Sequence, residues 1–293
     1  MVVSRGISPT TDQRANSAQV VVRPPAAALQ PYVTFYYFVT ARGPLTDFLY
    51  PEWGNVRFVY DGEWQATVDG AMDTQADARL YGHTDRCGRV VTSGGRVAGF
   101  GLTPLGWHRL FGTNASLIAN SAVDLGDGFG LATPVLRAAL AIADPTAAAA
   151  AADVVLLCYS ASRPADDPAV ATLCRILLDR PHDVGAFAAT AGVSLRTLHR
   201  ACLRVFGFSP KRLLRRQRFL ETLGHVRTAV GDPLRDALGP DYCDLAHFYR
   251  DFRDFMGMSP RAYFSASRAI MANAAAAQTA AGVTLSFKLP DVV

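Results

Sequence analysis

Long apolar runs are missing from this chain. No stretch reaches the roughly 18 residues that a membrane-crossing helix needs. The nearest candidate, the alanine-rich residues 147–158, is too short and is interrupted by Asp153. Residues 1–14 have no apolar centre, so no export signal is read there. Cysteine is scarce: Cys87, Cys158, Cys174, Cys202 and Cys243 are the 5 in the chain, and none forms a C-x-x-C pair. Neither a disulfide framework nor a zinc site is expected, and a reducing cytoplasm is the expected setting. Catalytic signatures are missing as well. There is no G-x-S-x-G, no Walker loop and no G-x-G-x-x-G, and Gly99-Phe-Gly101 is too short to count. His83 and His108 lack H-x-H or H-E-x-x-H spacing, so no metal and no cofactor are expected. Cys87 has only Arg86 and Arg89 beside it to suggest a reactive thiol.

What is present is a folded chain of 293 residues, 50% hydrophobic and 18% charged, long enough for two domains. The net charge of +4 is unevenly placed. Residues 183–268 hold 14 Lys and Arg against 8 Asp and Glu, an excess of +6, which leaves −2 for the rest. A basic segment beside a near-neutral partner is the electrostatic footprint of nucleic-acid binding, or else a solvated arginine-rich surface. Charge alone does not decide between them.

Along the chain, residues 1–28 read as a flexible lead-in ending at Pro24-Pro25. Residues 32–123 read mostly as strands. Residues 56–60 and 64–68 flank Asp61-Gly62, and residues 89–92 and 97–102 flank Ser93-Gly94-Gly95, both hairpin signals. Short strands at this spacing suggest an antiparallel sheet or barrel. Helical patterns begin near Thr133. Residues 163–168, with two prolines and two aspartates, read as a linker, and residues 169–180 as an amphipathic linker helix or dimer seam. Everything from 169 to 273 reads as helix. The fold class is therefore α+β. A mostly antiparallel, barrel-like β domain with helices (29–162) is joined through 163–180 to an all-α domain (181–268), with a tail over 269–293.

An internal repeat is the strongest signal. Residues 195–214 align with 245–264 at an offset of 50. Leu195, Arg200, Gly207, Ser209 and Pro210 meet identical residues at Leu245, Arg250, Gly257, Ser259 and Pro260. Each copy follows one helix grammar. Ser194 and Asp244 are N-caps, and Gly207 and Gly257 end the helices in the left-handed conformation. Leu195, Leu198, Cys202 and Val205 form one apolar stripe; Leu245, Phe248, Phe252 and Phe255 form the other. Ser-Pro then starts the next helix. Shorter helices over 183–191 and 232–238, with turns at Gly192 and Gly239-Pro240, precede the long ones. Short helix, tight turn, longer helix is a helix-turn-helix.

Opposite the stripes lie Arg196, His199, Arg200 and Arg204 in the first copy, and Ala246, His247, Tyr249, Arg250 and Arg253 in the second. Arginine near a recognition helix's N-terminus is the best donor to base edges; the plainer alternative is an ordinary polar outer face. Asp251 and Asp254 dilute the charge of the second copy. Between the copies a helix over about 209–230 carries Lys211, Arg212, Arg215, Arg216 and Arg218. Its length of about 30 Å is close to the roughly 34 Å between successive major grooves. Its basic residues, with Arg261, are candidates for phosphate contacts that set register.

At Ser194 to Arg200, Phe206-Gly-Phe-Ser-Pro210, Ala246-His-Phe-Tyr-Arg250 and Met256-Gly-Met-Ser-Pro260, the chain resembles the AraC/XylS family of bacterial transcription regulators. The resemblance covers about 180–265. It implies two helix-turn-helix units joined by a long helix, with recognition helices over about 195–206 and 245–256 entering successive major grooves of double-stranded DNA. It implies base contacts from Arg196, His199 and Arg200, and from Leu245, Ala246, His247, Tyr249 and Arg250. Two features depart from the family: Asp241-Tyr242 replaces its usual Gly-aromatic turn, and Leu245 and Ala246 stand where polar residues are commoner. Residues 29–36, 50–60 and 99–112 resemble, more distantly, the sensor-type domain that precedes such modules. That implies a small-molecule effector or a homodimer, and RNA polymerase as a further partner, in a cytoplasmic protein that is not an enzyme. Trp107, His108 and Arg109 are read either as one wall of a ligand pocket or, the favoured choice, as a corner packed on the sheet. The competing function is an enzymatic or ligand-binding N-terminal domain with the helical module serving oligomerisation. No cluster of acid, base and nucleophile supports it.

Overall fold

The glycine turns at Asp61-Gly62 and Gly94-Gly95 do not close hairpins. They bend two long strands from one sheet into another, as a computed structural model shows over residues 17–68, 70–74, 77–126, 132–228, 242 and 244–283. Strand β4 (Asn55–Asp61) continues into β5 (Trp64–Val68), and β8 (Gly88–Thr92) continues into β9 (Gly95–Leu102). Before the bend β4 pairs with β9, and after it β5 pairs with β8. At the bends the two chains cross backbone to backbone. A Cβ on Gly62 (φ +77°) would lie 1.8 Å from the Gly94 carbonyl oxygen, and one on Gly95 (φ +116°) would lie 2.1 Å from that of Asp61. A turn dipeptide specifies local φ, not the strand's partner, and glycine serves a sheet corner as well as a hairpin.

With β1 (Ala18–Arg23), β2 (Val33–Ala41), β3 (Leu45–Leu49), β6 (Ala71–Thr74), β7 (Ala78–Tyr81) and β10 (Ala122–Asp124), the strands make two antiparallel sheets rather than one closed barrel. Their orders are β1-β2-β9-β4-β7-β10 and β3-β8-β5-β6. The larger sheet is buried on both faces, so its strands alternate between two cores. Tyr36, Phe58 and Phe100 face a helical layer, while Val39, Val59 and Val97 face the smaller sheet and its Trp64 and Val90. The helical layer is α1 (Pro104–Phe111), α2 (Thr133–Leu140) and α3 (Pro145–Ala161).

The lead-in is corrected over part of its length. Val20, Val21 and Val22, β-branched, extend β1 along β2, and Ala18 and Val22 are buried. Only past Arg23 do Pro24 and Pro25 stop the pairing.

The C-terminal part is helical: α4 (Pro168–Leu178), α5 (Val184–Thr190), α6 (Leu195–Phe206), α7 (Pro210–Thr228), α8 (Leu245–Met256), α9 (Pro260–Ser265) and α10 (Ala269–Ala281). The caps form as read. Ser194 Oγ accepts from the Thr197 N–H at 3.2 Å and Asp244 Oδ1 from the His247 N–H at 2.6 Å. Gly207 and Gly257 close α6 and α8 at φ +81° and +67°. The expected short helix over 232–238 and the turn at 239–241 lie outside the described residues.

Helix α4 is not a free linker or an open dimer seam. Its Val170, Leu173, Cys174, Ile176 and Leu177 share a core with Phe187, Leu198, Cys202 and Val205 of the first unit. The second unit packs Phe248, Phe252 and Phe255 around Phe219 of α7, with ring centroids 5.1–6.1 Å apart. Each of these fully buried rings contributes on the order of 2 kcal/mol. The tail is corrected too: residues 269–281 are a helix on the N-terminal domain. Buried Asp47 accepts from the Ile270 and Met271 N–H groups at 2.7 and 2.9 Å, capping α10.

Candidate nucleic-acid interface

The buried stripes turn the outer faces of α6 and α8 to solvent. On α6, Arg196, Thr197, His199, Arg200 and Arg204 are exposed while Leu198, Cys202 and Val205 are buried. Leu195, read as part of the stripe, is instead 59% exposed, because the first helical turn projects beyond the core. On α8, Ala246, Arg250 and Arg253 are exposed, and Leu245, His247 and Tyr249 are half-buried. Among the described residues, no carboxylate pairs with Arg196, Arg200, Lys211, Arg250, Arg253 or Arg261. Six cations at the surface without partners are free to meet phosphate or base edges. Arg204 differs, since its guanidinium pairs with Asp167 at 3.2 Å.

The linker-helix arginines behave otherwise. Arg212 donates through Nε to Asp85 Oδ2 at 2.5 Å, pairs with Asp254, and lies 4.1 Å from the Phe255 ring centroid. Arg215 reaches Asp251 at 2.6 Å and Asp254 at 2.8 Å. Arg218 donates to Asp251 Oδ2 at 3.1 Å. Expected as phosphate contacts, Arg212 and Arg215 are instead turned into an internal ion-pair cluster. The cause lies in α8: Asp251 and Asp254 stand one turn apart on the side that meets α7. Asp251 is 2% exposed and also accepts from the Tyr242 hydroxyl at 3.0 Å. Burial alone would raise its pKa, but the donors from Arg215, Arg218 and Tyr242 outweigh burial and hold it below the usual carboxylate value. Asp251 therefore does not dilute the outer face of the recognition helix. It joins that helix to the linker.

One loop of the N-terminal domain reaches both units. His83 Nδ1 donates to the carbonyl of Phe206, the last residue of α6, at 3.2 Å. Thr84 O accepts from Arg216 Nε at 2.9 Å, Asp85 holds Arg212, and the Cys87 N–H donates to Phe255 O, near the end of α8, at 2.7 Å. Burial between Trp53 and Trp107 pushes His83 down to about 3, so its ring is neutral. Burial likewise pushes the Cys87 thiol up to about 12, which leaves it protonated and unreactive. Arg216 is fully enclosed, its guanidinium 4.2 Å from the Trp53 ring centroid. The N-terminal domain thus grips the inner ends of both recognition helices and leaves their outer faces clear.

Trp107, His108 and Arg109 form the packed corner. Trp107 is 1% exposed and donates from Nε1 to Thr113 O at 2.9 Å, while Arg109 donates to Ser160 Oγ at 3.1 Å and to Pro164 O. None of the three lines the cavity between the two sheets. Among the described residues, no cluster of His, Cys, Asp or Glu could hold a metal, and no helix is long and apolar enough to cross a membrane. The sequence does not reveal the pairing role of Asp85, Asp251 and Asp254 with the linker arginines. The one available signal was the i, i+3 pair of acids in an otherwise basic helix.

Residues 187–266 match the helix-turn-helix domain family. A search of curated protein sequences finds no match. Among solved structures, ToxT from Vibrio cholerae aligns over 86% of this chain and 99% of its own, at 10% identity and a TM-score of 0.45. The AraC-like transcriptional activator CuxR aligns over 75% and 84%, at 12% identity and a TM-score of 0.34. Such loose superpositions add nothing to the sequence match.

Proposed function

From the premise that this chain carries a C-terminal helix-turn-helix domain of the AraC type and is a DNA-binding transcription regulator, we propose that it reads DNA with α6 and α8. Arg196, His199 and Arg200 on α6, and Ala246, His247, Tyr249 and Arg250 on α8, approach base edges in successive major grooves. Lys211, Arg253 and Arg261 meet phosphates. The observation that supports this reading is the set of six solvent-facing cations that have no carboxylate partner among the described residues, next to Arg212, Arg215, Arg216 and Arg218 of the linker, each paired or buried. The test is fluorescence anisotropy of labelled duplex DNA with the full chain, between about 50 and about 200 mM salt. Neutralising about six phosphates, the chain should lose roughly 10³-fold in affinity over that range. Affinity that is flat with salt would contradict it.

The N-terminal domain serves as a sensing or dimerising module in a cytoplasmic protein, with RNA polymerase as the partner at the promoter. For the homodimer, the support is the outer face of α2 and α3. Ala147, Ala150, Val154, Leu157 and Ala161 recur at heptad spacing and are all exposed, Val154 by 61%. Val135 and Ile142 continue the apolar face at 56% and 42% exposure. Asp144 precedes the stripe and Arg163 follows it, so an antiparallel second copy would bring the acid end of one stripe to the arginine end of the other.

A further inference from the structure

Among the described residues, the two helix-turn-helix units keep separate cores. The first is built on Phe187, Leu198 and Phe206, the second on Phe219, Phe248 and Tyr263. Helix α7 links them along the chain, and two segments of the N-terminal domain also cross from one core to the other. In the first segment, Trp53 is buried in the first core and Tyr50, three residues earlier, in the second. Trp53 meets Phe206 with ring centroids 5.9 Å apart, and the Tyr263 hydroxyl donates to that of Tyr50. The second segment is the loop after β7. His83 holds the Phe206 carbonyl at the end of α6, and the Cys87 N–H holds the Phe255 carbonyl near the end of α8. The segments are fastened to each other. The Glu52 N–H donates to Thr84 Oγ1 at 2.8 Å, and the Thr84 N–H to the Glu52 carbonyl at 2.9 Å. Asn120 braces the loop, accepting from the Asp85 N–H at 2.9 Å and donating to its carboxylate at 2.8 Å. Asp85 and Thr84 in turn hold Arg212 and Arg216 of α7. Four peptide steps separate His83 from Cys87, and they span at most about 14 Å. While both bonds hold, the inner ends of α6 and α8 can neither draw apart nor turn about one another.

We propose that residues 50–53 and 83–87 form a strut that fixes the separation and relative rotation of the two recognition helices. The N-terminal domain, and not the helix-turn-helix units alone, then selects the spacing between the two blocks of the DNA site. The proposal rests on the reading of α6 and α8 as a pair that meets one duplex. Each base pair added between the blocks turns the second block by about 34° around the duplex axis. A rigid pair cannot follow that rotation and forfeits contacts in one block, whereas a slack pair can follow it. Tyr50 and Asp85, 3% and 7% exposed, act here as positioning residues, buried where no duplex reaches them.

The test uses the full chain and duplexes whose two blocks lie from about 8 to about 13 base pairs apart, centre to centre. Tyr50→Ala combined with Asp85→Asn removes one aromatic tie and the ionic one. The native chain should prefer one spacing over those two base pairs longer or shorter by about tenfold or more, and the variant by about twofold or less, with base preferences inside each block unchanged. Genetically encoded spin labels at the exposed Ala189 and Ala262, one on each unit, read the strut without DNA. They should give one narrow distance in the native chain and a broadened one in the variant. Should that variant fail to fold, Asn120→Gly, which suits the left-handed backbone there (φ +58°) and removes only the brace, should broaden the distance and relax the spacing preference by a smaller margin. Label distance and spacing preference both unchanged would overturn the proposal. So would tighter DNA binding with the spacing preference intact, the mark of a contact that only restrains binding. A native chain that binds no duplex contradicts the reading of α6 and α8 instead, and the label distances then still decide the strut.

Discussion

Asp251→Asn isolates the joint between the second recognition helix and the linker. The substitution keeps the side chain's shape and removes its charge. In the native chain the carboxylate accepts from Arg215 at 2.6 Å, Arg218 at 3.1 Å and Tyr242 at 3.0 Å, while 2% exposed. The amide oxygen can keep one of these donors. Its NH2 group faces the others, donor against donor, and leaves Arg218 without a carboxylate partner. Breaking a buried pair from one side costs about 3–5 kcal/mol. Arg215 retains Asp254 at 2.8 Å and both guanidiniums are partly open to water, so the lower end, about 3 kcal/mol, is expected. Urea denaturation of the full chain should show a lower midpoint with an unchanged slope. Because α8 loses its anchor to α7, affinity for DNA should fall although no DNA-facing group has changed. A stability change under about 0.5 kcal/mol, the ordinary range for a surface substitution, would refute the assignment of Asp251 as a buried hub.

The same hub fixes the sign of a pH effect. The Asp251 carboxyl titrates below its ordinary 3.8, so its stabilisation is complete at neutral pH and is lost as pH falls through 3.8 and then through the lowered value. Unfolding midpoints taken from pH 7 down to about pH 3 should fall more steeply for the native chain than for Asp251→Asn. Arg200→Ala and Arg196→Ala should each reduce discrimination between cognate and altered sites by about 1–3 kcal/mol, with unfolding midpoints unchanged; binding assays against single-base variants check this. Gly62→Ala should destabilise by several kcal/mol, since its Cβ would sit 1.8 Å from a carbonyl oxygen at φ +77°, and thermal melting reads this directly. Val154→Glu should convert a dimer to a monomer in sedimentation velocity without loss of folded secondary structure.

The helix-turn-helix units were legible because their signals are local. Ser194, Asp244, Gly207 and Gly257 act within one helical turn, and the 50-residue offset repeats them. The exposed arginines of α6 followed from periodicity alone. Other features depend on partners distant in sequence. Asp61-Gly62 reports a turn, but whether β5 pairs with β4 or with β8 is decided by a strand some 25 residues on. Arg212 and Arg215 look like phosphate contacts until α8 brings Asp251 and Asp254 against them and β7's following loop brings Asp85. Helix α10 has no amphipathic pattern because alanine fills most of it. Its placement rests on Asp47, more than 220 residues away.

The central claim is that two outward helical faces on one chain read one duplex. Selection from random-sequence duplexes by the full chain tests it most directly. The account predicts enrichment of a motif with two conserved blocks centred about 10 base pairs apart. Arg200→Ala should relax the block read by α6, and Arg250→Ala the block read by α8. Recovery of no motif, or of a single block indifferent to both substitutions, would contradict it.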